Sequence, residues 1–319
     1  MAKISAKVFE KYGFTFYKNV LDPGFFMLQN LYQLYSELNT GKRFISTITA
    51  SPEKFYFKAI KAKMKFGAHQ ETENKSIRLR HLIPPKISLK IIQRKICNHL
   101  QQIELPHCMY GSVKESNNVL NALQHIDNIF FLKIDLENYF SNISNKQVHR
   151  ALVENGFPWE VARIVTKLTT YQCSLPQGAP TSPVLANIVF AKTARQLEEF
   201  IKGHNITFTV FLDDMVFSSK KDFKYLVQEI LNIIRAAGFF PHNKKINYRK
   251  YNCEVTGLVV GNGQLRIVPK MKQAALTNSR VNGYIKFVNK YYNAFLIKKS
   301  SVSLKSNFSE SSHSRHYNL

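Results

Sequence analysis

At 319 residues with 45% hydrophobic content, the chain can bury a real core in one large unit or two to three small ones, which excludes a disordered polyelectrolyte. Lys and Arg outnumber Asp and Glu by 45 to 21, a formal net charge of +24; such a balance points to a polyanion held through its phosphates, nucleic acid first, with a membrane surface or a solvated basic face as the bland alternatives. No apolar run approaches the ~18 residues of a membrane span, and the opening MAKISAKVFEKYGF has no secretory h-region, so a cytoplasmic protein with no membrane partner is expected.

In chain order, the first 50 residues mix short apolar helical stretches, such as FFMLQNLYQLYSEL (Phe25 to Leu38), with basic loops, and read as a helical N-terminal extension. From Phe55, FYFKAIKAKMKF, the polar stretch Ala68 to Ser76 and IRLRHLIPP read as two strands joined by an exposed turn, ended by Pro84 and Pro85. Ile87 to Ile103 has apolar residues at helical spacing with Lys90, Arg94 and Lys95 between them, an amphipathic helix with a basic side. Then NIFFLKID is a strand, Lys146 to Leu168 mostly helical, Ala186 to Ile201 helical, ITFTVF with MVFSS a hairpin, and Lys224 to Ala237 a helix stopped by Gly238. After Gly257 a basic region rich in Tyr and Asn reads as helical to about Lys299, and the Ser-rich remainder as a disordered tail. From Pro241 onward 14 Lys and Arg meet only Glu254 and Glu310, so half the positive excess sits in the last quarter, as a gripping element would have it. Cys97, Cys108, Cys173 and Cys253 form no C-x-x-C pair and have no matching histidine spacing, and are read as reduced thiols without structural zinc.

Asp213 and Asp214 stand between two β-like runs, at the tip of a tight hairpin. An adjacent acidic pair alone is weak, since Glu198-Glu199 is another that solvation of a helix face explains. Asp135, however, ends the apolar strand IFFLKID and also projects from a strand end, so three carboxylates could converge. Magnesium takes oxygen ligands from carboxylates and substrate phosphates, and a pair of ions about 4 Å apart suits nucleotidyl transfer. Between these positions lies LPQGAPTSPVLANIVFA (Leu175 to Ala191), where Gly178 permits close backbone approach and Pro180 and Pro183 stiffen a turn before a helix. It is either an ordinary helix-entry loop or, with Gln177 beside a glycine, a surface for a nucleotide base and ribose.

Together IDLENYF, LPQGAPTSP, FLDD and GFFPHNKK resemble, in order and spacing, the motifs of reverse transcriptases, over about Ile77 to Val260. LPQG followed by A-P-x-S-P-x-L-A-N is highly specific. NALQH (Asn121 to His125) and VTG (Val255 to Gly257) fit the two short motifs of the bacterial retron type. The resemblance implies an α+β right-hand polymerase: an N-terminal helical extension over 1–50, fingers and a ferredoxin-like palm over 51–262, a helical thumb over 263–299, and a tail over 300–319. It implies that Asp135 and Asp213 bind two Mg2+ ions with Asp214 assisting, and that Phe140, or Tyr139 one residue away, is the steric gate against a ribose 2′-hydroxyl. Gln177 and Gly178 would approach the incoming dNTP. Arg78 and Arg80 would contact its triphosphate, unless they simply form a solvated basic strand. Lys245 would protonate pyrophosphate or be one more phosphate-binding lysine.

Asn121, His125, Val255, Thr256 and Gly257 would serve RNA binding, with Tyr284, Tyr291 and Tyr292 as stacking or core residues. The implied partners are a cognate non-coding RNA, its DNA product and an effector protein, the implied priming group is an RNA 2′-hydroxyl, and the implied role is antiviral defence. Two other readings remain open: a non-retron bacterial reverse transcriptase, defence-associated or intron-derived, and a retired polymerase fold serving as an RNA-binding scaffold. Three departures stand out: Phe211 where most members have Tyr, His242 and Ile246 around Lys245, and a region past Gly263 that matches in character only.

Overall fold

The computed structural model describes residues 28–62 and 79–311. Arg78, the 68–76 turn, residues 1–27 and residues 312–319 lie outside the described residues.

Helices α1 (Leu31–Leu38) and α2 (Lys42–Ala50) open the described chain, and the Asn30 side chain caps α1 by accepting from Gln33 N at 2.9 Å. Their apolar stripes, Leu34 and Leu38 on one and Ile45 and Ile48 on the other, are buried against α3 (Ile87–Leu100) and α6 (Trp159–Thr169). The described part of the expected N-terminal extension, residues 28–50, therefore joins the main core. Strands β1 (Ala59–Ala62) and β2 (Leu79–Leu82) pair antiparallel, with Lys61 opposite Arg80.

The palm is built from β3 (Phe130–Asp135), α5 (Asn145–Glu154), α6, α7 (Ser182–Phe200), β4 (Thr207–Phe211), β5 (Asp214–Ser219), α8 (Val227–Ala236) and β6 (Asn247–Lys250). The sheet order β4-β5-β3-β6, antiparallel throughout, is the ferredoxin-like arrangement. Strand alternation divides the sheet: Leu132, Ile134, Met215 and Phe217 join the main core, while Phe131 and Val216 face a second core.

That second core is formed by α4 (Asn118–Leu123), a three-stranded sheet of β7 (Cys253–Val255), β8 (Leu258–Gly261) and β9 (Gln264–Ile267), then α9 (Pro269–Ala275) and α10 (Ser279–Ser311). The structure thus differs from the helical reading after Gly257, and the boundary expected between 262 and 263 falls inside the Asn262-Gly263 turn of the β8–β9 hairpin. Helix α10 also runs past the Lys299 end expected for it, because the Ser-rich stretch to Ser311 contains neither Gly nor Pro to break it. Among the described residues no helix is long and apolar enough to cross a membrane.

Candidate active site

Strand ends and one turn set the carboxylates. The β3–β5 register places Asp135 opposite Asp214. Phe211 pairs with Asp214 across the β4–β5 hairpin, leaving Leu212 and Asp213 as its two turn residues. Leu212 has φ of 57°, a left-handed conformation that costs a leucine about 1–3 kcal/mol. The Leu136 amide donates to Asp213 O at 2.9 Å and fastens the turn to the end of β3.

Burial is the leading cause that pushes both Asp213 and Asp214 above the usual carboxylate range; the Asp214 charge adds to it for Asp213, and for Asp214 the Asp135 charge adds while Lys133 opposes. Two lysines stand against the cluster. Lys245 Nζ donates to Asp135 Oδ1. It arrives there because the chain after α8 continues along β3, with Glu137 N donating to Phe240 O and His242 N to Asp135 O, both at 2.8 Å, before the 3-10 turn Asn243–Lys245. Lys133 Nζ lies 3.7 Å from Asp214 Oδ1 and donates to Glu254 O at 3.3 Å. Sequence reasoning missed Lys133, although the two-residue period of a strand puts it on the face of Asp135.

Among the described residues no three carboxylate, imidazole or thiol groups stand in ligating geometry, the Asp135 and Asp214 carboxylates being turned onto their lysines. The donor set nevertheless fits a hard divalent cation: all oxygen, mutually repelling and partly desolvated, so that a cation would offset the burial and repulsion that push Asp213 and Asp214 above the usual carboxylate range.

Of the two candidate gate rings, Phe140 is half-buried at the edge of the core, whereas Tyr139 is packed inside it against Phe190 and Phe239, its hydroxyl donating to Ala186 O at 3.2 Å. Tyr139 is therefore a core residue, and Phe140 is the less buried ring of the two. The Leu175–Ala179 loop is tied to the fingers by Ile83 N donating to Gln177 O at 2.7 Å. Gly178 has φ of 110°, and space around its missing Cβ is ordinary, so conformation alone demands glycine there. Arg80 is exposed on β2, three residues before that tie. The structure thus ties the Gln177–Gly178 loop to the end of β2, the strand that carries Arg80, and brings Asp135, Asp213, Asp214 and Lys245 together at the palm.

A second element that the sequence reading missed clamps the Leu212–Asp213 turn. Cys108 to Tyr110 lies along β4, with Val210 N donating to Cys108 O and Tyr110 N to Val210 O, both at 2.8 Å. A Cβ on Gly111 would stand 2.6 Å from Leu212 N, and Asn187 Nδ2 holds Gly111 O at 2.6 Å.

Of the candidate RNA-binding residues in NALQH and VTG, Asn121, His125 and Val255 are at most 1% exposed and present no surface to RNA, which leaves Thr256 and Gly257. The helix that leads into NALQH instead binds the VTG turn. Asn118 Nδ2 donates to Thr256 O at 3.1 Å, and Thr256 Oγ1 donates back to Asn118 O at 3.0 Å. Asn121 Nδ2 also reaches Thr256 Oγ1 at 3.5 Å. Thr256 (φ 46°) and Gly257 (φ 87°), both half-buried, form the β7–β8 turn. His125 is clamped between Ser218 Oγ at 2.6 Å and Thr209 Oγ1 at 2.7 Å.

A ferredoxin-like palm with Asp135 on a strand end, Asp213 in the neighbouring hairpin turn and Asp214 opening the next strand is the arrangement of the right-hand polymerase fold. The chain belongs to the reverse transcriptase family: the family described as Reverse transcriptase (RNA-dependent DNA polymerase) matches residues 63–260, more than half of it. The relatives it resembles within that family are of the retron type. It is 28% identical over 195 residues to retron Ec86 reverse transcriptase of Escherichia coli (60% of this chain, 61% of that protein). Retron Se72 reverse transcriptase of Salmonella heidelberg is 27% identical over 248 residues (73% and 62%), and retron Ec83 reverse transcriptase of Escherichia coli 27% over 257 residues (70% and 82%). The chain spans about three fifths of the length of the first two. Among solved structures, telomerase from Candida albicans in complex with a TWJ fragment of telomeric RNA has a TM-score of 0.46 at 12% identity, covering 71% of this chain and 51% of that one.

Proposed function

We propose that the protein is an RNA-directed DNA polymerase that copies part of a structured cognate non-coding RNA into single-stranded DNA, primed from an RNA 2′-hydroxyl to give a branched RNA-DNA hybrid. It would act in the cytoplasm, with antiviral defence, through a separate effector, as the role its resemblance implies. The observation that carries the reading is the register of Asp135 against Asp214, with Asp213 in the adjoining turn.

Asp135, Asp213 and Asp214 would hold two Mg2+ ions. Bound there, the ions would activate the priming hydroxyl and stabilise charge on the leaving pyrophosphate. Lys245, already on Asp135, can release it to become the proton donor to that pyrophosphate. Phe140 sets a wall against a 2′-hydroxyl, Gln177 and Gly178 present loop backbone to the nucleotide, and Arg80, with Arg78 beside it in sequence, offers a guanidinium fork to the triphosphate. Thr256 and Gly257, with the basic helix α10, would hold the partner RNA.

The test is to express the chain with its native flanking DNA, purify it, and sequence bound nucleic acid before and after RNase and debranching treatment. A short DNA of unique sequence joined to an RNA 2′-hydroxyl supports the reading; unbranched, heterogeneous DNA contradicts the priming step.

A further inference from the structure

Helices α5 and α6, joined by residues 155–158, pack against each other and line a groove of about 580 Å³. One end carries Trp159, the only tryptophan in the chain and 58% exposed. Its ring is braced rather than loose: His149 packs against it edge to face at 5.3 Å, and the Arg163 guanidinium lies 5.8 Å from its centre. Arg163 is committed to Glu160 at 2.8 Å. Lys146, Arg150 and Lys167 are exposed in the groove without an ion-pair partner among the described residues, and Glu154 is the one acidic side chain lining it.

Thr166 lines the same groove, is 6% exposed, and its Oγ1 has no hydrogen-bond partner. An unpaired buried hydroxyl costs stability unless something meets it. The end of the groove at Asn145 abuts the tight turn Tyr171–Ser174, with Asn145 N donating to Cys173 O at 2.8 Å, and that turn leads directly into the Leu175–Ala179 loop.

We propose that this groove binds a single-stranded segment of RNA, one base stacked on Trp159 and the phosphates running over Arg150, Lys146 and Lys167 toward the Gln177 loop. A rigid exposed indole also suits a protein partner, but three unpaired cations in a row favour a phosphate chain. Thr166 and Asn145 supply the short polar groups that meet a 2′-hydroxyl. The site lies outside the polymerase centre and shares with that reading only the identity of the partner.

Because Trp159 is the sole tryptophan, its emission reports on the groove alone. Decauridylate titrated into the full chain should quench it, and Trp159→Ala should weaken binding of fluorescein-labelled decauridylate about tenfold. Lys146→Ala with Arg150→Ala and Lys167→Ala should flatten the slope of log K against log salt by about 2, since single strands release ~0.7 counterion per phosphate contact. Saturation of the protein by labelled RNA with no change in emission overturns the proposal and leaves the groove to a protein partner. Decathymidylate quenching at lower concentration than decauridylate overturns the assignment to RNA. DNA synthesis on a primed RNA template separates the two readings. Quenching with no synthesis supports the groove and sinks the polymerase, whereas synthesis with no quenching sinks only the groove.

Discussion

At the Asp214 end of β5, three carboxylates crowd a strained turn and are opposed by two lysines. Four residues further along the same strand and on the same face, about 13 Å away, Ser218 belongs to a cluster of the opposite kind. His125, Asn128, Thr209 and Ser218 are buried, neutral and bonded to one another, with Asn128 Nδ2 reaching Ser218 Oγ at 2.8 Å and Thr207 Oγ1 at 3.1 Å. The first cluster is held together against its own charge and has something left to bind; the second is satisfied internally and joins the segment between α4 and β3 to both strands of the β4–β5 hairpin.

The largest expected effect breaks the first cluster. Asp213→Asn lowers dNTP incorporation about 10³-fold or more while raising the unfolding midpoint in EDTA, since it removes a partly desolvated charge beside two others; steady-state rates and melting curves check both. Gly111→Ala forces the Leu212 backbone to move, and a shift on that scale costs about 10²-fold in kcat with nucleotide KM little changed, read by single-nucleotide kinetics. His125→Leu orphans two buried hydroxyls and costs about 2–3 kcal/mol in urea unfolding, with the synthesis rate per folded molecule retained.

Acidity separates the clusters by sign. Burial pushes the His125 imidazole down to about 3, below its ordinary 6.5. The unfolded chain then binds the extra proton between those values, so this contribution is complete above pH 6.5 and is lost as pH falls, by up to about 1.4 kcal/mol per unit. Asp213 and Asp214 are raised above 3.8, so in metal-free protein their contribution is complete below that pH and is lost as pH rises through their folded values. Urea unfolding against pH should lose its acid limb in His125→Leu and its upper limb in Asp213→Asn. The smallest effect concerns the gate: Phe140→Ala relaxes discrimination against ribonucleotides about tenfold, whereas Tyr139→Ala lowers stability through the core, and selectivity rising only in the latter would reverse the assignment.

The convergence of the three carboxylates was legible because Asp135 ends an apolar strand and Asp213 and Asp214 stand between two more, and strand ends are readable from period and turn alone. The choice between Tyr139 and Phe140 was not, since it depends on the chain direction after Asn138, whose φ of 47° no local pattern announces. The polar residues of NALQH looked like contacts because a buried hydrogen-bond network has the composition of a binding surface; only the partners, Thr209, Ser218 and Thr256, tell them apart. Lys133 and the β8–β9 hairpin did leave a signal, the first in strand alternation, the second in Asn262-Gly263, a hairpin dipeptide overshadowed by the basic helices that follow. Gly111 left none, because its close approach to Leu212 is a tertiary fact.

The most direct test is primer extension on an RNA template with dNTPs and Mg2+, comparing the protein with Asp214→Asn at matched folded fraction. The account predicts templated DNA from the first and none from the second, although the variant melts no lower in EDTA. Equal extension by both would contradict the assignment of the carboxylate cluster as the catalytic centre.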